Sequence, residues 1–290
     1  MGLRIPSLQN LPKLPKYGYA ILASLGALFL VGVMGMCVLV ALVASTQKPT
    51  PTPEIPIEEP PAVVTCDDAL SPDALWQLQG QDCVLHEEKT GGGVTDTLDM
   101  SYPYSLIVEQ PFTKSVILNV LNPIRDGYWQ QQAESLSVEG TEAVPWTMQV
   151  VTETTSFSAN VTSMLFTVSS YTGGAGPNSY FETVTFDFAN QTTLTLPDIF
   201  QAGVNPYAII APLARVELLT RFPDLGDFIN PGTEPTADNF RIWGLTNNSL
   251  NIYFSPYAVG PGALGAQTVT IPLASLAGSL KPEYVPAPGV

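Results

Sequence analysis

Histidine is nearly absent from this chain: His86 is the only one among 290 residues. A zinc site needs several histidine, cysteine or carboxylate ligands, and the chain has three cysteines, so the sequence predicts no metal site and no cofactor. A Ser-His-Asp triad would have to use His86. That residue lies in the polar stretch VLHEEK, and we expect it, like Glu87 and Glu88 beside it, to face solvent.

Positive charge is also scarce, with 11 Lys and Arg residues against 26 Asp and Glu residues, a formal net charge of −15. Arg4, Lys13 and Lys16 fall within the first 16 residues, which hold no acid, so 8 basic and 26 acidic residues, a charge of −18, remain after them. Such a surface repels phosphate groups, which excludes a nucleic-acid partner. The same charge favours encounter with a cationic protein.

Residues 17–45 contain no charged side chain. At about 1.5 Å per residue, a helix of this length exceeds the roughly 30 Å hydrocarbon core of a bilayer. We therefore expect a transmembrane helix at 17–45, with the basic tail 1–16 inside and the rest of the chain outside. A cleaved signal peptide, which would make the protein secreted, is the alternative, because VAS at 43–45 is a weak cleavage site.

Residues 46–64 are rich in proline and predict a semi-extended stalk, since proline fixes φ and lacks a backbone donor. The folded domain is expected at 65–290. It contains Cys66 and Cys83, which lie in an oxidising compartment if the domain is exported. We expect one disulfide between them, closing a loop of about 17 residues.

The pattern of the domain predicts an α+β fold, a mostly antiparallel sheet with helices packed on one face and a transmembrane helix before it. Apolar residues every fourth position predict a helix from Phe112 to Ile124, and Asn205-Pro206 opens a second helix that extends to about Phe222. Predicted strands occupy 98–110, 144–157, 161–172 and 180–188, two flank an Asn-Asn turn at 247–248, and the last begins near Gln267.

Two glycine-rich stretches stand out. YTGGAGPNSY at 171–180 has no following Lys-Ser/Thr pair and is therefore no phosphate-binding loop. GPGALG at 260–265 matches a dinucleotide fingerprint in letters but runs into a predicted strand where a helix is required, so we interpret it as coincidence. Glycine at these positions serves either backbone conformation or contact with a ligand, and the sequence leaves both open for the first loop.

The motifs SSYTGGAGPNSYFETVTFDF, LPDIF and FSPYAVGPGALGAQTVTIP resemble the RsiV-type extracytoplasmic domain, over about residues 98–278. The resemblance implies an α+β fold. Such domains occur in lysozyme-sensing anti-sigma factors, at one end of some peptidoglycan deacetylases, and in a secreted mycobacterial antigen that also carries a cysteine pair ahead of the domain.

The chain departs from that family in two places. Family loops place a histidine after the Gly-Gly-small triplet, where Gly176, Pro177 and Asn178 stand here. Residues 1–16 contain three prolines and no helical face, so we do not expect this segment to bind a sigma factor. We also expect no deacetylase domain in this sequence, because deacetylase chemistry requires metal-ligating histidines.

We therefore expect a membrane-anchored, outward-facing bacterial binding or sensor-like module without enzymatic activity. Its partners would be the membrane, through the N-terminal helix, and a lysozyme-like protein or peptidoglycan. Two alternatives are a cell-wall hydrolase or esterase and a structural envelope protein without a ligand. The predicted contact residues lie in the loops 171–180 and 257–265 and are Tyr171, Gly173, Gly174, Asn178, Tyr180 and Tyr257.

Overall fold

The computed structural model describes Cys66 and residues 76–136, 144–174 and 176–286. The predicted tail, transmembrane helix and stalk at 1–64 lie outside these residues. Among the helices that are described, none combines the length and the apolar character needed to cross a membrane.

Ten strands and five α-helices form within the described residues. The strands are β1 (Gln77–Gln79), β2 (Asp82–Gly91), β3 (Val94–Pro103), β4 (Thr147–Ser158), β5 (Val161–Tyr171), β6 (Asn178–Asp187), β7 (Thr192–Leu194), β8 (Trp243–Leu245), β9 (Ser249–Phe254) and β10 (Gln267–Pro272). The helices are α1 (Tyr104–Glu109), α2 (Phe112–Leu136), α3 (Pro206–Arg221), α4 (Gly226–Gly232) and α5 (Leu273–Leu276).

The strands form two sheets. Strands β1 to β7 lie side by side in chain order, and β8 to β10 form a smaller sheet in the order β10-β9-β8. Neighbouring strands are antiparallel except for β3 and β4, which pair in parallel between Thr97–Met100 and Thr147–Val150. The α+β class with a mostly antiparallel large sheet is confirmed, whereas the expectation of one sheet was wrong.

The two faces of the large sheet have different partners. Met164, Phe166 and Val168 on β5 are fully buried and belong to the same core cluster as the inner face of α2. Because strand side chains alternate, Ser163 points to the opposite face. There its Oγ accepts a hydrogen bond of 2.8 Å from the backbone N–H of Leu245, so the small sheet packs on that face. Helix α3 covers the small sheet through Ile210, Ala214 and Leu218.

Two predicted elements differ from the structure by more than three residues at an end. The strand predicted at 98–110 ends at Pro103, and the apolar run that follows is helix α1, in which Ile107 is buried. A short apolar run has no decisive periodicity, so packing decides its conformation. Helix α2 does not stop near Ile124 but continues through Pro123 to Leu136, because Tyr128 and Trp129 extend its buried face.

Several local predictions are confirmed. Strands β5 and β6 pair across the glycine loop. Asn205 caps α3, its Oδ1 accepting from the backbone N–H groups of Tyr207 and Ala208. GPGALG forms a single 3-10 turn at Gly262–Leu264 and leads into β10, so it opens no α-helix. Cys66 and Cys83 form a disulfide, and both are fully buried.

Candidate functional site

The first glycine loop is shaped by backbone conformation. Gly173 (φ 89°) and Gly174 (φ 114°) both adopt left-handed geometry, which side chains disfavour. A Cβ on Gly173 would also lie 2.8 Å from Cγ2 of Val144. The conformational interpretation therefore accounts for both glycines without a ligand.

Tyr257 in the second loop is unusual for a non-glycine residue, because its φ is 71°. Its side chain is 73% exposed, and its ring lies against Gly262, where a Cβ would collide with it. A left-handed conformation costs a non-glycine residue on the order of 1 kcal/mol. The fold thus holds an aromatic ring toward solvent at an energetic cost. Tyr171 and Tyr180, by contrast, are half-buried.

The two loops are connected through β6. The backbone N–H of Phe181 donates to Oγ of Ser255 at 3.2 Å, and the rings of Phe181 and Tyr253 lie 5.8 Å apart. Tyr180 is therefore the sequence neighbour of Phe181, whose hydrogen bond to Ser255 reaches the turn that carries Tyr257. Burial, and then the charge of Glu182, raises the pKa of Tyr180. Asn178 is exposed at the start of β6, opposite Ser170.

A cleft that sequence reasoning missed lies at the other edge of β6. Strand β7 pairs with β6 only at Thr185–Asp187, and the chain then turns into the 3-10 helix Leu196–Ile199, which includes Pro197. The edge left open at Thr183 and Val184 borders a cavity of about 390 Å³. Its walls come from β6, β7, the first turn of α3 and the segment 237–243.

The cleft has mixed chemistry. Tyr207 is half-buried, and burial raises the pKa of its phenol. Thr183 Oγ1 accepts a 3.1 Å hydrogen bond from the backbone N–H of Trp243. Arg241, whose side chain is 55% exposed, donates from Nη1 to both carboxylate oxygens of Glu182 at 3.2 and 3.0 Å. Asp238 adds an exposed carboxylate to the lining.

A larger cavity of about 610 Å³ is lined in part by Asp187 and Asp198, whose carboxylates already have partners. Asp187 accepts from the backbone N–H and side-chain amide of Asn190. Asp198 accepts from the hydroxyl and backbone N–H of Thr195, and these hydrogen bonds hold the pKa of Asp198 below its usual value. A carboxyl group with a lowered pKa is poorly suited to act as a general acid near neutral pH.

Glu87 is not solvated, contrary to the sequence prediction. Its carboxylate accepts hydrogen bonds from Arg125 Nη2 at 2.6 Å, Arg125 Nε at 2.9 Å and Trp129 Nε1 at 2.6 Å. Burial raises the pKa of Glu87, but these donors outweigh it, and the pKa lies below its ordinary value. The cluster ties α2 to β2.

His86 is a half-exposed side chain, as expected, and lies between two carboxylates. Its Nδ1 is 2.6 Å from Asp99 Oδ1 and its Nε2 is 3.3 Å from Glu88 Oε1. The hydrogen bond with Asp99, followed by that with Glu88, raises the pKa of His86. Both ring nitrogens face carboxylates, so the imidazole is not arranged to take a proton from a serine hydroxyl.

A family model matches the second half of this domain. The DUF3298 family, described as a protein of unknown function, matches residues 197–274. That match includes Tyr207, Arg241 and Trp243 of the cleft together with Tyr257, but not the first glycine loop.

Two curated relatives of this chain carry the names of different enzymes, a deacetylase and an esterase. The peptidoglycan-N-acetylmuramic acid deacetylase PdaC of Bacillus subtilis is 27% identical over 131 residues, which cover 44% of this chain and 28% of the deacetylase. The esterase Rv3036c of Mycobacterium tuberculosis is 24% identical over 205 residues, covering 68% of this chain and 82% of the esterase. This chain is thus related by sequence to a deacetylase, of which it spans less than a third, and to an esterase.

A solved structure shares the fold. A DUF3298 family protein from Pseudomonas aeruginosa PAO1 superposes with a TM-score of 0.54 at 16% identity, covering 71% of this chain and 96% of that protein. The α+β architecture is therefore common to both.

Proposed function

We propose that this chain is an extracytoplasmic binding module of the bacterial envelope, anchored by residues 17–45, and that its partner is a lysozyme-like protein. The observation that carries the proposal is the exposed ring of Tyr257, held in a left-handed conformation against Gly262. Strained residues concentrate at ligand-binding sites. Tyrosine is also enriched among the residues that dominate binding energy at protein interfaces.

Charge supports a cationic partner. Opposite net charge steers two proteins together, and lysozyme surfaces are cationic as a rule, whereas this chain carries a formal charge of −15. The buried disulfide between Cys66 and Cys83 is in keeping with an oxidising compartment.

Calorimetric titration of the full-length protein, purified in detergent, with lysozyme at physiological salt tests this proposal. We expect one-to-one binding with a Kd of about 1 μM or tighter, and Tyr257→Ala should weaken it by about tenfold or more. Phe228→Ala, which removes another exposed aromatic ring, is the matched control and should leave the Kd unchanged. Absence of heat at high concentration would exclude a lysozyme-like partner and leave peptidoglycan, or a structural role without a ligand.

Hydrolysis is the second candidate, favoured by the similarity to the esterase along 82% of that protein. It predicts turnover of a simple aryl ester that is lost on replacing His86 or one cleft carboxylate, Asp238. A binding module predicts that wild type, His86→Ala and Asp238→Asn all show only the background rate.

A further inference from the structure

We infer that the cleft at the open edge of β6 is a saccharide-binding site that takes one or two neutral sugar rings. The residues that line it do not include the loop 257–265, so this site is separate from the surface proposed above. Its volume of about 390 Å³ lies within the range of about 300–1,000 Å³ that is usual for small-molecule sites.

The charges of the cleft favour a neutral polar ligand. Arg241 and Asp238 are the charged side chains of the described lining, and they have opposite signs. Four threonines on β6, on β7 and directly after β7 add hydroxyl groups to the lining: Thr183, Thr185, Thr193 and Thr195. The hydroxyls of Thr183, Thr185 and Thr195 already hydrogen-bond within the protein, whereas that of Thr193 has no partner among the described residues. A sugar ring presents hydroxyl groups that both donate and accept, and a wall of mixed donors and acceptors can pair with them.

Apolar surface is present beside these polar groups. Tyr207 is the half-buried aromatic residue of the lining, and Trp243, a core residue that is 5% exposed, lines the cleft beside it. Pyranose rings carry C–H groups that pack on aromatic surface, while their hydroxyl groups reach polar side chains. Ligand sites generally combine aromatic lining with a few placed polar groups in this way.

Several donors of the cleft have no partner within the described part of the chain. Arg241 uses only Nη1 to hold Glu182, which leaves Nε and Nη2 to donate. The phenol of Tyr207 and the indole N–H of Trp243 make no hydrogen bond to any described residue. Among the described residues, the buried side-chain donor without a partner is Trp76 Nε1, outside the cleft, so the cleft donors are open to water. A ligand hydroxyl or carbonyl oxygen would replace that water on donors that the protein leaves available.

The residues that carry these donors are held in place. Asn205 caps the first turn of α3 and thereby fixes Tyr207. Thr183 accepts the backbone N–H of Trp243, and Glu182 orients the guanidinium of Arg241. Residues from β6, α3 and β8 are thus fixed around one cavity before any ligand arrives, which lowers the entropic cost of binding.

The test is a titration of the full-length protein with N,N′-diacetylchitobiose in a detergent without a sugar headgroup. Binding is measured by calorimetry and by saturation-transfer NMR. We expect a Kd of about 1 mM or tighter. Tyr207→Ala and Arg241→Gln should each weaken binding by about tenfold. Thr193→Val is a near-isosteric change at an exposed position and should weaken sugar binding by about threefold. This variant tests the site if Tyr207→Ala or Arg241→Gln impairs folding.

Matched controls separate this site from the surface around Tyr257. Arg221→Gln removes an arginine that pairs with Glu217 away from the cleft, and it should leave sugar binding unchanged, as should Tyr257→Ala. The anionic N-acetylmuramic acid should bind no tighter than N-acetylglucosamine.

Each contrary outcome has a distinct meaning. No binding of the disaccharide at tens of millimolar, or binding that survives both Tyr207→Ala and Arg241→Gln, overturns the inference. Tighter binding of the anionic sugar overturns the assignment to neutral ligands. Sugar binding without lysozyme binding would support this site and reject the proposed lysozyme-like partner. Lysozyme binding without sugar binding would support the proposed partner and reject the saccharide site.

Discussion

Glu87 on β2 and Arg125 on α2 form a bidentate ion pair, in which Nη2 and Nε of the arginine donate to the two carboxylate oxygens. The two residues are 38 positions apart in the chain. Trp129 Nε1 donates to the same carboxylate. Both side chains of the pair are 16% exposed. This cluster fastens the long helix to the N-terminal strands.

Glu87→Ala should lower the free energy of unfolding by about 2–3 kcal/mol, because Arg125 and Trp129 then lose a charged acceptor. Urea denaturation followed by far-UV circular dichroism measures the change. Glu88→Ala is the control, since that side chain is 58% exposed, and it should change stability by less than about 0.5 kcal/mol. Equal losses in the two variants would contradict the role assigned to the cluster.

Glu87 also predicts a dependence of stability on pH. Its folded-state pKa is lowered, so its contribution is complete above the unfolded value of about 4.3 and is lost as pH falls through the folded value. The stability difference between wild type and Glu87→Gln should therefore shrink as the pH is lowered from 5 to 3. A difference that is constant over this range would show that the ionised carboxylate is not what matters.

His86 titrates in the opposite sense. Its pKa is raised, chiefly by Asp99, so any stabilisation is present below the unfolded value of about 6.5 and disappears as pH rises through the folded value. NMR titration of the imidazole should show a pKa above 6.5 that falls in Asp99→Asn and falls less in Glu88→Gln. As His86 is the only histidine in the chain, assignment is direct.

The disulfide closes a loop of 17 residues and should contribute about 3 kcal/mol to stability. Replacing Cys66 and Cys83 together by serine should lower the unfolding midpoint, and a reducing agent should do the same to the wild type. Cys37→Ser is the matched control, because Cys37 is predicted to lie in the transmembrane segment. An unchanged midpoint after reduction would show that the loop is held by packing alone.

Tyr257 allows conformation and contact to be tested separately. Tyr257→Gly should raise stability by up to about 1 kcal/mol by relieving the left-handed φ, while weakening lysozyme binding by about tenfold or more. Gly262→Ala should displace the ring at little cost to stability and weaken lysozyme binding. Thermal melts and calorimetry on the two variants measure both effects, and lysozyme affinity that survives both changes would exclude this surface.

Local sequence signals predicted the elements whose determinants are close together in the chain. Alternation in β5 and β6 placed the hairpin across the glycines, and Asn205-Pro206 marked the start of α3. The end of α2 and the identity of α1 could not be read in this way, because burial of Tyr128, Trp129 and Ile107 against distant strands decides them.

The cleft and the Glu87 cluster were beyond sequence reasoning for the same reason. Thr183 and Trp243 are 60 residues apart and meet only because the small sheet packs on the large one. Glu87 looked like one of two adjacent surface acids, and nothing near it in sequence shows that Arg125 and Trp129 lie above it. Tyr257, in contrast, was predicted from its loop to be an exposed aromatic residue, and its side chain is exposed, but the sequence carried no signal for its left-handed φ.

The parallel pairing of β3 with β4 has a consequence for how the domain folds. An antiparallel hairpin closes through a short turn, whereas Thr97–Met100 can meet Thr147–Val150 only after α1 and α2 have brought the chain back. Contacts so far apart in sequence slow folding. We expect the group β1–β3 and the group β4–β7 to assemble separately and to join late, with the docking of α2 as the step that brings them together.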